Sequence, residues 1–141
     1  MPRPISARIH LDAIRHNLRF VKRTAPASLV WAVIKANAYG HGIETVVPAL
    51  ARADGIALLD LDEAVRVREC GWTKPVLLLE GIFEPGDIEI VDRYRLTVAV
   101  HCDEQLALIK AAKPRERIDI QLKMNTGMNR LGYRPAAYRR A

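Results

Sequence analysis

Apolar and polar positions follow two periods that take turns along the chain. Leu11, Ile14, Leu18 and Val21 recur at helical spacing and predict a helix over 12–23, with Asp12 able to cap its start and Pro26 stopping it. The unbroken apolar run Leu29-Val30-Trp31-Ala32-Val33-Ile34 is β-rich in type and reads as a strand buried on both faces. Ile43, Val46, Val47, Leu50 and Ala51 return to the helical period. The same alternation predicts strands at Ile56–Leu59, Pro75–Leu79, Leu96–Val100 and Ile118–Lys123. Between them come helices at Asp62–Cys70 (closed by Gly71), Asp87–Arg93 and Asp103–Ala112 (capped by Asp103, ended before Pro114).

A leading helix followed by five strands, with a helix in each gap, is the pattern of an α/β protein with a parallel sheet and right-handed crossovers. Two architectures satisfy it. One is an open, doubly wound five-stranded domain. The other is the first five βα units of a (β/α)8 TIM barrel, whose complete form takes about 250 residues. Periodicity does not choose between them. Both folds place ligands at the carboxyl ends of the strands, so the chemistry found there carries the distinction.

The 141 residues are 50% hydrophobic and 27% charged, an ordinary globular composition. No apolar run approaches the ~18–20 residues of a membrane span. The opening residues 1–8 are basic with no apolar stretch after them, unlike a secretory signal. Two cysteines, Cys70 and Cys102, make no disulfide framework, so a reduced, cytoplasmic protein is expected. The formal charge of +6 lies wholly in residues 113–141, where eight basic residues face only Glu116 and Asp119. These cations are scattered, without aromatic interleaving or any helix-turn-helix or finger spacing, so no nucleic-acid partner is expected.

Candidate chemistry falls at two strand ends. Lys35 follows the six-residue apolar run and opens Lys35-Ala36-Asn37-Ala38-Tyr39-Gly40-His41-Gly42. An amine held against apolar walls is suited to covalent chemistry with a carbonyl; a lysine that only snorkels to solvent is the blander reading. Gly40-His41-Gly42 is a flexible lead into a helix, with neither GxGxxG nor a P-loop present, and His41 reads as a turn residue. The second cluster runs from Leu122 to Tyr133: Lys123 ends the fifth strand, and Arg130 stands seven residues on in a glycine-containing loop, a natural fork for carboxylate or phosphate. His10, His16 and His101 lack metal-ligand spacing, no Ser-His-Asp arrangement is present, and Cys102 reads as structural. Asp60, Asp62 and Glu63 read as a helix cap and first-turn acids.

Together, Val33–Gly42 and Met124–Gly132 resemble the alanine racemase family, and Ile9–Leu18 resembles that family's first helix. The resemblance covers residues 1–141 and implies the N-terminal part of a pyridoxal-phosphate-binding (β/α)8 barrel. The rest of the barrel and a C-terminal β domain would then lie outside this chain. It implies that Lys35 holds pyridoxal phosphate as an imine and acts as a base, that Tyr39 binds the cofactor phosphate, and that Arg130 contacts the cofactor's phenolic oxygen and the substrate carboxylate. Lys123 matches a lysine often carbamylated in the family. Asn125 stands where the family often has Asp, and Asn129 where it often has Gly. The implied reaction interconverts L-alanine and D-alanine for cell-wall peptidoglycan, in a homodimer whose partner supplies the second base. By itself the chain is expected to be inactive, with an open sheet and exposed interior-facing side chains. Two alternatives are a related pyridoxal-phosphate barrel protein without racemase activity and a non-enzymatic five-stranded binding domain.

Overall fold

A computed structural model describes residues 4–141; Met1, Pro2 and Arg3, part of the opening segment read above as unlike a signal, lie outside the described residues. Helix α1 (Leu11–Thr24) leads into strand β1 (Trp31–Val33), a one-turn segment α2 (Lys35–Tyr39), helix α3 (Ile43–Val46) and the 3-10 turn η1 (Val47–Leu50). Then follow β2 (Gly55–Leu58), α4 (Leu61–Glu69), β3 (Val76–Leu78), α5 (Asp87–Arg93), β4 (Thr97–Val100), α6 (Asp103–Ala111), β5 (Ile120–Leu122) and α7 (Pro135–Tyr138).

The five strands pair in parallel in the order β1-β2-β3-β4-β5. This order decides between the two architectures. A doubly wound sheet reverses direction at a switch point, whereas here each strand is added beside the last. Right-handed crossovers then put every connecting helix on the same face. The sheet is five consecutive units of a (β/α)8 barrel wall.

Register separates the two faces. Ile56, Leu58, Val76, Leu78, Val98 and Val100 point to the helices and are buried among Ile43, Val67 and Val91. Each such side chain contributes about 1.5–3 kcal/mol by leaving water. The opposite face carries a smaller cluster: Ala57, Leu77 and Ala99 are buried, with Trp31 and Leu79 packed on them. Trp31 lies flat over Gly55, its register partner on β2, where an added Cβ would stand 2.5 Å from the indole. The interior-facing side chains are therefore less exposed than expected. Small residues and one large indole cover each other on the concave side.

Several local expectations need correction. Strand β1 is three residues long, and it is not buried on both faces: Leu29 and Val33 are 76% and 42% exposed, because β1 is an edge of the sheet. Asp12 does not cap α1; His10 occupies the cap position, and Asp12 sits in the first turn, paired with Arg15 at 2.8 Å. Val21 of the expected apolar stripe is exposed. The helix expected from Ile43 to Ala51 breaks into α3 and the 3-10 turn, since Pro48 has no N–H to continue an α-helical ladder. Cys102, not Asp103, stands at the cap position of α6. Helix α7 carried no sequence signal strong enough to expect it. The segment α2 likewise carried no such signal, while the other elements fall within a residue or two of their expected bounds and Asp87–Arg93 coincides.

The amino-terminal edge of the sheet is tied by cations to backbone carbonyls. Arg68 on α4 donates to the carbonyls of Trp72, Lys74, Tyr94 and Arg95 at 2.6–2.9 Å, joining the loops that lead into β3 and β4. Its partial burial, with Arg95 nearby, lowers its pKa from the ordinary value, which for a guanidinium leaves the charge in place. Lys74 donates to the carbonyls of Ala51 and Ala53. Lys22 reaches from α1 to Asp54 at 2.7 Å, and Asp54 also accepts from the Val30 N–H. Arg68→Ala should destabilise the fold by roughly 2–4 kcal/mol, since it strips four carbonyls of their donor. Arg68→Lys should recover less than half of that in a urea titration, because one ammonium cannot span the fork. Equal stability of both variants with the parent would show that the loops hold without it.

Candidate functional site

All five strands end on one edge, and the residues singled out from the sequence gather there. Lys35 follows Ile34, whose N–H extends the parallel ladder to the Ala57 carbonyl at 2.9 Å. Lys35 stands directly beyond the carboxyl end of β1, whose Trp31 and Val33 pair with Gly55 and Ala57. Lys123 follows Leu122, continues the ladder to Val100 at 2.8 Å, and shares the parity of Gln121, register partner of Ala99. Strands stand about 4.8 Å apart, so these two strand ends are four steps, roughly 19 Å, apart along the wall.

The segment after Lys35 is a left-handed turn. Ala36, Asn37, Ala38 and Tyr39 have φ between +52° and +55°, and Gly40 follows at +82°. For L-residues this conformation costs roughly 1–2 kcal/mol each. Compensating contacts converge on Asn37. Its N–H donates to Oε1 of Glu63 on α4. Its side-chain Oδ1 accepts from the Ile43 N–H at 3.1 Å and from Arg66 at 2.9 Å. Its carbonyl accepts from the N–H groups of Gly40 and Gly42. Ala38 is buried in the main core, and the His41 ring N–H donates to the Ala38 carbonyl at 2.8 Å, as befits a turn residue.

Arg66 is in turn gripped by Glu44 through two bonds of 2.7 and 2.8 Å. This fork, with help from backbone N–H donation, brings the Glu44 carboxyl down to about 2 from its ordinary 4.5. Among the described residues, the side chains of Lys35 and Tyr39 have no hydrogen-bond or ion-pair partner. Lys35 is half-buried and Tyr39 is 58% exposed.

The loop after β5 is pinned at its root: the Tyr133 N–H donates to Lys123 and the Asn125 N–H to Tyr133, at 2.9 and 2.8 Å. Gly132 permits this closure, since a Cβ there would stand 2.7 Å from the Asn125 nitrogen. Within the loop, Asn125 Oδ1 accepts from the N–H groups of Gly127 and Asn129, while its amide donates to Asn129 Oδ1 at 2.9 Å. Lys123 is half-buried and Arg130 exposed, and among the described residues neither side chain meets an acidic partner. The structure thus puts Lys35 and Tyr39 on one turn and Lys123 and Arg130 at one loop. It shows no bond between Lys123 and Arg130.

Glu63 is the residue that sequence reasoning undervalued. It is 8% exposed, with one carboxylate oxygen on Asn37 and the other without a partner. A signal was available: Glu63, Ala64 and Val67 share the buried stripe of α4, so an acid occupies a core position of the helical wheel.

A parallel barrel wall with an unspent amine, phenol and guanidinium at its carboxyl edge defines a barrel domain whose free polar groups stand at the strand ends, where this fold places its sites. The family described as "Alanine racemase, N-terminal domain" matches residues 9–141, and the chain belongs to that family. It is 60% identical over all 141 residues to the alanine racemase of Cupriavidus metallidurans, of which it covers 38%. The crystal structure of the biosynthetic alanine racemase from Pseudomonas aeruginosa is 44% identical and superposes with a TM-score of 0.89, over 92% of this chain and 37% of that one. The alanine racemase of Acinetobacter baumannii, 32% identical, gives 0.86 over 92% of this chain and 40% of its own. The chain spans about two-fifths of the length of these relatives. Among the described residues, no helix is long and apolar enough to cross a membrane, and no cluster of His, Cys, Asp or Glu could hold a metal.

The Glu44–Arg66 fork yields a pH prediction. A depressed carboxyl pKa stabilises the fold above the ordinary value, and that contribution disappears as pH falls through about 2. Carbon-detected NMR titration should place the Glu44 carboxyl near 2, and Arg66→Ala should return it toward 4.5. A Glu44 titration that ignores Arg66→Ala would mean the fork does not form in solution.

Proposed function

We propose that this chain forms the cofactor-bearing part of an alanine racemase, a pyridoxal-phosphate enzyme that interconverts L-alanine and D-alanine. The observation that carries the reading is the left-handed turn. It ends β1 with the Lys35 amine and the Tyr39 hydroxyl both unspent at the carboxyl edge of a barrel wall.

The donor set fits the cofactor. A primary amine suits its carbonyl carbon, a phenol hydroxyl its phosphate, and a guanidinium its phenolic oxygen. Bound pyridoxal phosphate supplies an electron sink for the negative charge left when the α-proton is removed. Lys35 would carry the group covalently and hold or return the proton at its Nζ on one face. Tyr39 would donate its hydroxyl to the phosphate. Arg130 would fork to the substrate carboxylate. Lys123 would serve Arg130 once its Nζ has added carbon dioxide and released a proton, because the resulting carbamate turns a second cation into an acceptor. Proton delivery on the opposite face falls to a group outside this chain, which fits assembly as a homodimer. The free thiols of Cys70 and Cys102 suit a reducing, cytoplasmic setting.

Borohydride reduction of the protein at the full length its gene encodes, after loading with pyridoxal phosphate, should leave a pyridoxyl group on Lys35. Lys35→Ala should abolish the cofactor absorbance and cut alanine racemisation by at least about 10²–10⁴-fold. Lys123→Ala should lower kcat/KM, with partial rescue by added acetate. A pyridoxyl group on another lysine would refute the assignment of Lys35. Cofactor binding without alanine turnover would favour a non-racemase relative.

A further inference from the structure

We propose that Glu63 is the positioning residue of this site. From the neighbouring helix it clamps the left-handed turn and so sets the Lys35 amine and the Tyr39 hydroxyl relative to one another. The role of the turn in cofactor binding rests on the function proposed above; the clamp itself does not.

Four non-glycine residues in succession hold a conformation that each resists, so the turn must be imposed from outside. The hydrogen bonds that α3 and α4 send to the turn reach Asn37, at its centre. The buried Ile43 N–H and the part-exposed Arg66 guanidinium bind its side chain. Gly40 and Gly42 bond its carbonyl from the same loop, and Glu63 is the group of α3 or α4 that grips its backbone, from within the protein. A backbone N–H bound to a buried carboxylate is a charge-assisted bond, stronger than a neutral one. It also fixes the peptide plane two residues after Lys35 and two before Tyr39. Release of that plane lets the turn relax toward the right-handed region and carries both side chains away from the edge.

The second carboxylate oxygen is buried without a partner. A buried polar atom without a partner is costly, so the packing of α4 alone gives no reason for an acid there. An acid retained at a core position of α4 points to the one bond it makes.

The test has two readouts on the protein at the full length its gene encodes. Without cofactor, hydrogen exchange should show the Asn37 amide protected. Glu63→Ala should speed its exchange at least about tenfold and leave the β2 and β3 amides unchanged, and Glu63→Gln, which keeps an acceptor at Oε1, should restore most of the protection. With cofactor, Glu63→Ala should bind pyridoxal phosphate at least about tenfold more weakly and shift its absorption band, while Glu63→Gln stays within about threefold of the parent. If Glu63→Ala does not fold, Glu63→Met carries the test: it fills the same buried space, offers the Asn37 N–H no carboxylate, and should show the same two changes. Unchanged Asn37 exchange in Glu63→Ala would overturn the clamp. Altered exchange with unchanged cofactor affinity and spectrum would overturn the positioning role. Failure of the parent itself to bind pyridoxal phosphate would overturn the function proposed above and leave the exchange result standing as the test of the clamp.

Discussion

Everything at the carboxyl edge depends on a backbone that bends the wrong way for L-amino acids. A right-handed turn after β1 would be the cheaper continuation of the chain. The sequence instead runs through Ala36, Asn37, Ala38 and Tyr39 in the left-handed region, and only then reaches the glycines that accept it without cost. Such a turn persists only where surrounding structure over-determines it. Here the surroundings are α3 and α4, which converge on Asn37 through Ile43, Glu63 and Arg66. The first crossover and the next helix are therefore more than spacers between strands: they hold the site.

That arrangement explains what could and could not be read from the sequence. Element types were legible because core burial imposes its own period: Ile56, Leu58, Val76 and Leu78 alternate with residues of the concave face, and the helices between them repeat at 3.6. The strand order was not legible, since a barrel wall and a doubly wound sheet impose the same period. The motif around Lys35 marked the place of the site, but not its shape. Helix caps were misjudged at Asp12 and Asp103 because an acid just inside a helix and an acid at its cap look alike in sequence and differ only in backbone conformation. Glu63 was read by its charge and its place in the first turn, when its position on the buried stripe of α4 was the more informative fact.

The two edges of the sheet divide the labour. At the amino-terminal edge, Arg68, Lys74 and Lys22 spend most of their donors on carbonyls or on Asp54. The cleft lined by Arg68, Trp72, Lys74, Arg93 and Arg95 is strongly basic, yet Arg68 and Lys74 are largely engaged by the fold. At the carboxyl edge the pattern inverts: Lys35, Tyr39, Lys123 and Arg130 are left over after the structure has been satisfied. A cavity's size says little in such a molecule. The unspent polar group says more, because stability alone gives no reason to leave it.

The loop after β5 pairs Asn125 with Asn129, the two residues at which the resemblance implies a departure from the usual motif. Asn129 sits at a φ of +59°, a conformation that glycine adopts freely and that asparagine tolerates better than other residues. Placing a side chain there brings a carbonyl oxygen within 2.9 Å of position 125. An aspartate at 125 would meet that oxygen with another acceptor, whereas Asn125 meets it with an N–H donor and still accepts from Gly127 and Asn129. The two departures from the family pattern thus belong together, each making the other chemically reasonable. Their joint effect is to order the loop without a carboxylate. On the function proposed above, the acidic partner of Arg130 would then come from Lys123, whose amine becomes an acceptor only through carbamylation.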